Sequence, residues 1–155
     1  MNNPNDYRPC VGIMLLNNAG KVFVAQRIDT RTEAWQMPQG GIEKGEDLKC
    51  AAMRELEEEI GTCKAILIAE SSNWLYYDLP IDLRHKLWNG QYKGQRQKWF
   101  LYRFLGEDQD INLETEHPEF LAWRWANINE LVNLAVSFKR HIYENVIQEF
   151  RHFLL

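Results

Sequence analysis

Three glutamates, Glu55, Glu58 and Glu59, recur at i, i+3 and i+4 in a segment of strong helix formers. At ~100° per residue this spacing gathers their carboxylates on one helix face, ~5–6 Å apart. At an effective dielectric of 20 each pair repels by roughly 3 kcal/mol before salt screening. Such a face adds no stability to a helix by itself. It suits a hard divalent cation, and Mg²⁺ in particular binds a few carboxylates together with water and phosphate oxygens. Glu57 falls on the opposite side and reads as solvated. The net charge of the chain is −4, and the seven acids and three bases between Glu43 and Glu59 carry all of it. Charge concentrated in this way repels itself. A solvated helix face is the ordinary reading, and a cation site is the chemical one.

The elements that would hold these residues follow from the pattern. The helix is expected over Asp47 to Ile60, ending at Gly61, a good residue just past a helix. Ala52, Leu56 and Ile60 form an i, i+4, i+8 stripe that would anchor it to a sheet. Val11 to Leu16 is a continuous apolar run, read as a buried strand, and Lys21 to Arg27 as a strand pairing back on it across the turn Asn17-Asn18-Ala19-Gly20. Trp35 to Gly41 contains Pro38, Gly40 and Gly41 and reads as a loop, with room for a short strand at its start. Ala65 to Ala69, Trp74 to Leu79, Lys98 to Leu105 and Phe120 to Trp125 read as strands, Ile81 to Gly94 as a polar surface loop, and Asn129 to Ala135 and Phe138 to Phe153 as helices. Strands mixed with helices in this way predict one sheet covered by helices on both faces.

Composition narrows the class. The 155 residues, 45% hydrophobic and 26% charged, fit one globular domain over 1–155, without repeats or a linker. No apolar run approaches the ~20 residues of a membrane span. Met1 to Pro9 is polar, without a signal-peptide stretch. Cys10, Cys50 and Cys63 are odd in number and not in a CxxC pair, so they predict free thiols in a reducing compartment, by default the cytoplasm. The four histidines are scattered without ligand spacing. Most of the tryptophans sit in strands with Phe and Leu and read as core. A chain without excess positive charge is a poor non-specific binder of long RNA, although it can grip a single end.

A longer pattern surrounds the carboxylates. Gly40, five residues, Glu46, seven residues, Arg54-Glu55-Leu56, one residue, Glu58-Glu59, one residue and Gly61 resembles the Nudix box. Seven fixed glycine or polar positions at ~7% usage each coincide on the order of once in 10⁸ starting points. Thr62 departs from the pattern, which has an aliphatic residue there, but it lies past the helix. The resemblance to the Nudix hydrolases implies an α/β fold, an α/β/α sandwich with a mixed sheet and a loop–helix–loop motif. It also implies hydrolysis of a nucleoside diphosphate linked to another group, with Mg²⁺ or Mn²⁺. By that likeness Glu55, Glu58 and Glu59 are metal ligands and catalytic, Arg54 steadies the carboxylates, and Glu46 braces the loop. Gly40, Gly41 and Gly45 are expected to let the loop turn tightly.

The resemblance extends beyond the box, from about Tyr7 to about Phe150. Tyr7-Arg8-Pro9, Trp35 to Gly41, Gly94 to Phe100, Pro118-Glu119-Phe120 and Val136 to Arg140 together resemble the bacterial RNA pyrophosphohydrolases, relatives of the dinucleoside polyphosphate hydrolases. The implied substrate is an RNA 5′ end carrying a triphosphate or diphosphate. Free dinucleoside polyphosphates such as diadenosine tetraphosphate are the alternative, because both present a nucleoside and a polyphosphate to one site. A non-catalytic nucleotide- or RNA-binding module sits poorly with the retention of all three carboxylates. No membrane and no obligate protein partner is implied. Arg8, Arg27, Gln95, Lys98 and Lys139 are candidates for gripping phosphate oxygens, with ordinary surface solvation as the alternative for each. The resemblance implies that Arg27 and Phe138 sandwich a base, with Val136 and Lys139 lining the same cleft; a residue at a helix start, as Phe138 is, equally suits core packing. It also makes Glu119 a further metal ligand or the group that orients water.

Overall fold

The computed structural model describes residues 3–29 and 33–154. Among them, seven strands form one mixed sheet: β1 (Tyr7–Leu16), β2 (Val22–Arg27), β3 (Gln39–Gly41), β4 (Ala65–Glu70), β5 (Leu75–Asp78), β6 (Gly94–Phe104) and β7 (Phe120–Ala126). The principal order is β4-β6-β1-β2-β7. At its centre β1 and β6 run parallel in unbroken register, from Tyr7 opposite Gly94 to Leu16 opposite Arg103. β5 and β4 pair end to end along the other side of β6.

Strand alternation sends successive side chains to opposite faces, and each face has its own helix. Val11, Ile13 and Leu15 of β1, with Phe100, Tyr102 and Phe104 of β6, pack against Ala51, Ala52, Leu56 and Ile60 of α1 (Leu48–Ile60). Met14 and Leu16, with Trp99 and Leu101, pack against Leu131 of α3 (Leu131–Leu134) and Ile142, Tyr143, Val146 and Phe150 of α4 (Arg140–Phe150). This is the expected α/β/α sandwich. Asp47 caps α1 by accepting from Lys49 N and Cys50 N, and Gly61 ends it at φ 77°. No helix among the described residues is long and apolar enough to cross a membrane. Cys10 is buried, and Cys50 and Cys63 are exposed and free.

Three expectations are corrected. β1 and β2 do not form a continuous hairpin, because they pair only at Leu16 and Val22 before splaying. β2 then pairs with β7, and the segment read as a loop fills the gap: Gln36 bridges Ala25, while β3 pairs with β1 from Gly12–Gln39 to Cys10–Gly41. The expected surface loop Ile81 to Gly94 contains a helical turn, α2 (Ile81–Arg84), and a 3-10 turn at Trp88–Gly90. The two expected C-terminal helices each begin in a 3-10 turn, at Ile128–Glu130 and Ser137–Lys139, so Phe138 precedes α4.

Candidate active site

α1 and β3 build the acidic part. Arg54 lies at its hub. Its Nε and Nη2 donate to the two oxygens of Glu46 at 2.7 and 2.9 Å, and Nη2 also donates to the Gly41 carbonyl at 2.9 Å. Nη1 donates to Glu55 at 2.9 Å and Glu58 at 3.2 Å. Glu46 in turn accepts from Glu43 N, so the loop before the helix is tied to the helix through one guanidinium. Arg54 holds the Glu46 carboxyl down at about 2.

Gly40 and Gly41 are required for close approach and not for turning, since both lie in a strand. A Cβ on Gly40 would stand 2.0 Å from the Glu55 carboxyl carbon, and one on Gly41 would stand 2.4 Å from Arg8 Nη2. Of the three loop glycines only Gly45 adopts a left-handed conformation, at φ 76°.

Glu59 is buried, and neither carboxylate oxygen has a hydrogen-bond partner among the described residues. Burial, then the nearby Glu119 and Glu55, raise its pKa well above the ordinary carboxylate value. Burial also pushes Glu55 up to about 7, with Arg54 opposing. Glu58 is exposed and shares a cavity of about 440 Å³ with Glu59, Glu119 and His117. Glu57, expected on the far side of the helix, lines the rim of this same cavity. No three acids, histidines or cysteines among the described residues are already gathered round one point, and Glu55 and Glu58 instead turn onto Arg54. Even so, the donor set fits a hard divalent cation. It consists of carboxylate oxygens, and those of Glu59 are buried and unpaired, which is costly for a charge without a counter-ion.

These shifts have a testable sign. A carboxyl whose pKa is raised by folding contributes stability at low pH and loses it as pH rises through the folded value. The metal-free protein should therefore lose melting temperature between pH ~4.5 and ~7 through Glu55, and Glu59, also raised, should add a loss of the same sign. Millimolar Mg²⁺ should raise the melting temperature more at pH 8 than at pH 5. Equal increments at the two pH values would remove the carboxylates as the cation's ligands.

Cationic and aromatic side chains stand beside these acids. A cavity of about 560 Å³ is lined by Glu55 and Glu119 together with Arg8, Arg27, Gln95 and Lys139. The Arg8 guanidinium lies over the Trp88 ring, 5.2 Å from its centroid. Trp88 holds φ 50°, a left-handed conformation that costs a bulky residue ~1–3 kcal/mol and tends to mark functional sites. Arg27 is clamped by Asp29 through two bonds of 2.7 and 2.8 Å, which fixes the guanidinium plane, and its Nη1 is 4.0 Å from Glu119. Arg27, Val136, Phe138 and Lys139 together line an adjoining pocket of about 310 Å³. The Phe138 ring is tilted against Tyr77, 5.8 Å between centroids. Burial pushes the Lys139 ammonium down to about 8, and the nearby Arg27 adds to this.

Lys98 does not join this group. Its Nζ donates to the Ser72 carbonyl at 3.3 Å, away from the cleft. On a strand Gln95 and Lys98, three residues apart, must face opposite sides, and that parity was available in the sequence. Asp29, Gln39, Tyr77 and Trp88 were missed. Gln39 lies in the stretch that carried the resemblance, whereas Trp88 lies in a segment whose periodicity carries no signal.

The NUDIX domain pattern matches residues 6–146 of this chain. The RNA pyrophosphohydrolase of Rhodospirillum rubrum is 60% identical over 147 residues, which span 95% of this chain and 88% of that protein. That of Wolbachia pipientis subsp. Culex pipiens is 51% identical over 146 residues, 94% of this chain and 90% of its own length. Among solved structures, the E. coli dihydroneopterin triphosphate pyrophosphohydrolase superposes with a TM-score of 0.68 at 22% identity, covering 90% of this chain and 95% of that one. A C. elegans Ap4A hydrolase binary complex gives 0.65 at 19% identity, covering 94% and 97%. At these identities the two structures speak for the fold alone.

Proposed function

Since this chain belongs to the NUDIX family, we propose that it is an RNA pyrophosphohydrolase that removes pyrophosphate, or phosphates in turn, from the triphosphorylated or diphosphorylated 5′ end of RNA. The observation that carries this reading is the cleft in which carboxylates stand together with arginine, lysine and aromatic side chains. The names of relatives at 51–60% identity support it. Its substrate would place the protein in the bacterial cytoplasm, where transcripts begin to decay.

In this reading Glu55, Glu58, Glu59 and Glu119 would hold Mg²⁺ or Mn²⁺, which when bound supplies neutralising charge for the polyphosphate oxygens. Arg54 keeps Glu46, Glu55 and Glu58 in place and does not touch substrate. Arg8, held by Trp88, and Lys139 grip phosphate oxygens from the opposite wall. Arg27, its plane fixed by Asp29, lines the smaller pocket with Phe138, where a base leaving the 5′ terminus can stack. Below pH ~8 Lys139 is cationic, the state that an anionic substrate requires.

The deciding measurement compares kcat/KM on triphosphorylated RNA and on diadenosine tetraphosphate at equal concentration with Mg²⁺. RNA is expected to be the better substrate, excess EDTA should abolish turnover, and the melting curve in EDTA should still show a folded protein. Preference for the dinucleotide would overturn the RNA reading. Full turnover in EDTA would overturn the metal requirement.

A further inference from the structure

A buried chain of neutral side chains runs beneath the cleft and ends in it. The Trp99 indole is fully buried, and its Nε1 donates to Gln97 Oε1 at 3.0 Å. Gln97 is itself buried, and its Nε2 donates both to Gln95 Oε1 at 2.8 Å and to Gln39 Oε1 at 3.1 Å. Period-2 alternation puts Gln95, Gln97 and Trp99 on one face of β6, and β1 lies between β6 and β3, so the Gln97 amide must reach across to Gln39. Gln39 and Gln95 both line the cleft, with Arg8 and Lys139.

The direction of every bond in this chain is dictated by its innermost member. An indole N–H can only donate, so Gln97 must turn its oxygen inward. Its NH₂ then has two hydrogens for two acceptors, the amide oxygens of Gln39 and Gln95. Both amides are left with their NH₂ groups directed away from Gln97. A single buried N–H therefore sets the direction of both glutamine amides at the floor of the cleft.

We propose that Trp99 and Gln97 are positioning residues that hold Gln39 and Gln95 as a neutral hydrogen-bond donor site for oxygens of a phosphate or of the departing pyrophosphate. The substrate class rests on the hydrolase reading above; the donor site itself rests on the bond directions. Neutral donors suit this place in the cleft. They bind an anion oxygen at any pH in the working range, and they hold a multiply charged product less firmly than further cations would.

Two measurements test it. In the wild-type protein, inorganic pyrophosphate is titrated in while the side-chain NH₂ signals of Gln39 and Gln95 and the indole signal of Trp99 are followed by ¹⁵N NMR. All three are expected to shift with one saturation curve, the indole through polarisation along the chain. No saturable shift of the glutamine amides, whether pyrophosphate binds elsewhere or does not bind, overturns the donor site. Trp99→Phe then removes the indole donor and keeps a ring in the core. It should raise KM for triphosphorylated RNA about five- to tenfold while kcat changes less than twofold. If the variant is unstable, the wild-type titration decides alone. An unchanged KM in a folded variant overturns the relay and leaves the hydrolase reading intact. A wild-type protein inactive on RNA would remove that reading, and the pyrophosphate titration would still decide the donor site.

Discussion

Glu59→Gln is expected to lower kcat on triphosphorylated RNA by about 10²–10³-fold, the range for loss of one well-placed charged group in an active site. The substitution keeps the shape of the side chain and deletes the charge. Glu59 is the appropriate target because it is buried and its oxygens have no donor among the described residues, with the Glu119 carboxyl as their neighbour. The same feature gives the variant a second signature. At pH 8 the metal-free variant should melt at the same temperature as the wild type or higher, since it no longer buries a carboxyl whose ionisation is opposed by burial and by Glu119 and Glu55. Glu57→Gln, at the exposed rim, should stay within about twofold in kcat, as expected for a surface change without a partner. Turnover of Glu59→Gln near the wild-type level would remove Glu59 from the cation site. A large fall in melting temperature would make it a structural residue.

Phe138→Ala is expected to lower kcat/KM on triphosphorylated RNA by roughly 5- to 150-fold, the equivalent of losing one base stacked at ~1–3 kcal/mol. On a free nucleoside triphosphate the loss should be smaller, because that ligand has no following base to place between Arg27 and Phe138. The ring touches Tyr77 at one side and lines the open pocket at the other. It precedes α4 and is partly exposed, so truncation should leave the fold in place. The measurement is paired kinetics on the two substrates with a thermal melt. Equal losses on both, or a collapsed melt, would assign Phe138 to core packing and place the base elsewhere.

The parts of this molecule that were legible in the sequence are those in which one element carries its own signal. α1 was bounded within one residue by its run of helix formers and its terminal glycine, and its apolar stripe meets the sheet as expected. Arg54 and Glu46, which the resemblance singled out, are in contact across the loop and the helix. What escaped were features that depend on pairing at a distance. The splaying of β1 from β2 is invisible locally, because a good turn and two apolar runs also describe a full hairpin. The space is taken by residues 36–41, whose Pro and Gly content argues for a loop when read alone. Lys98 was misplaced through its charge, although strand parity with Gln95 already set it on the other face. Trp88 and Asp29 act by holding Arg8 and Arg27, and no spacing rule links such partners.

The β1–β6 pairing also governs how the molecule comes into being. Tyr7 and Gly94 bracket the acidic helix in the chain, so joining β1 to β6 closes a loop that contains β3, α1 and all of the carboxylates except Glu119. Contacts of such long sequence separation are slow to form, because most of the closure entropy is spent before any pairing is gained. On the ribosome α1 emerges long before the strand that completes its supporting sheet. A nascent chain is therefore catalytically silent until β6 has been made, and a chain truncated ahead of Gly94 has neither the floor of the cleft nor a partner for its central strand. Activity and global folding should appear together during refolding, on the timescale of that one long-range closure.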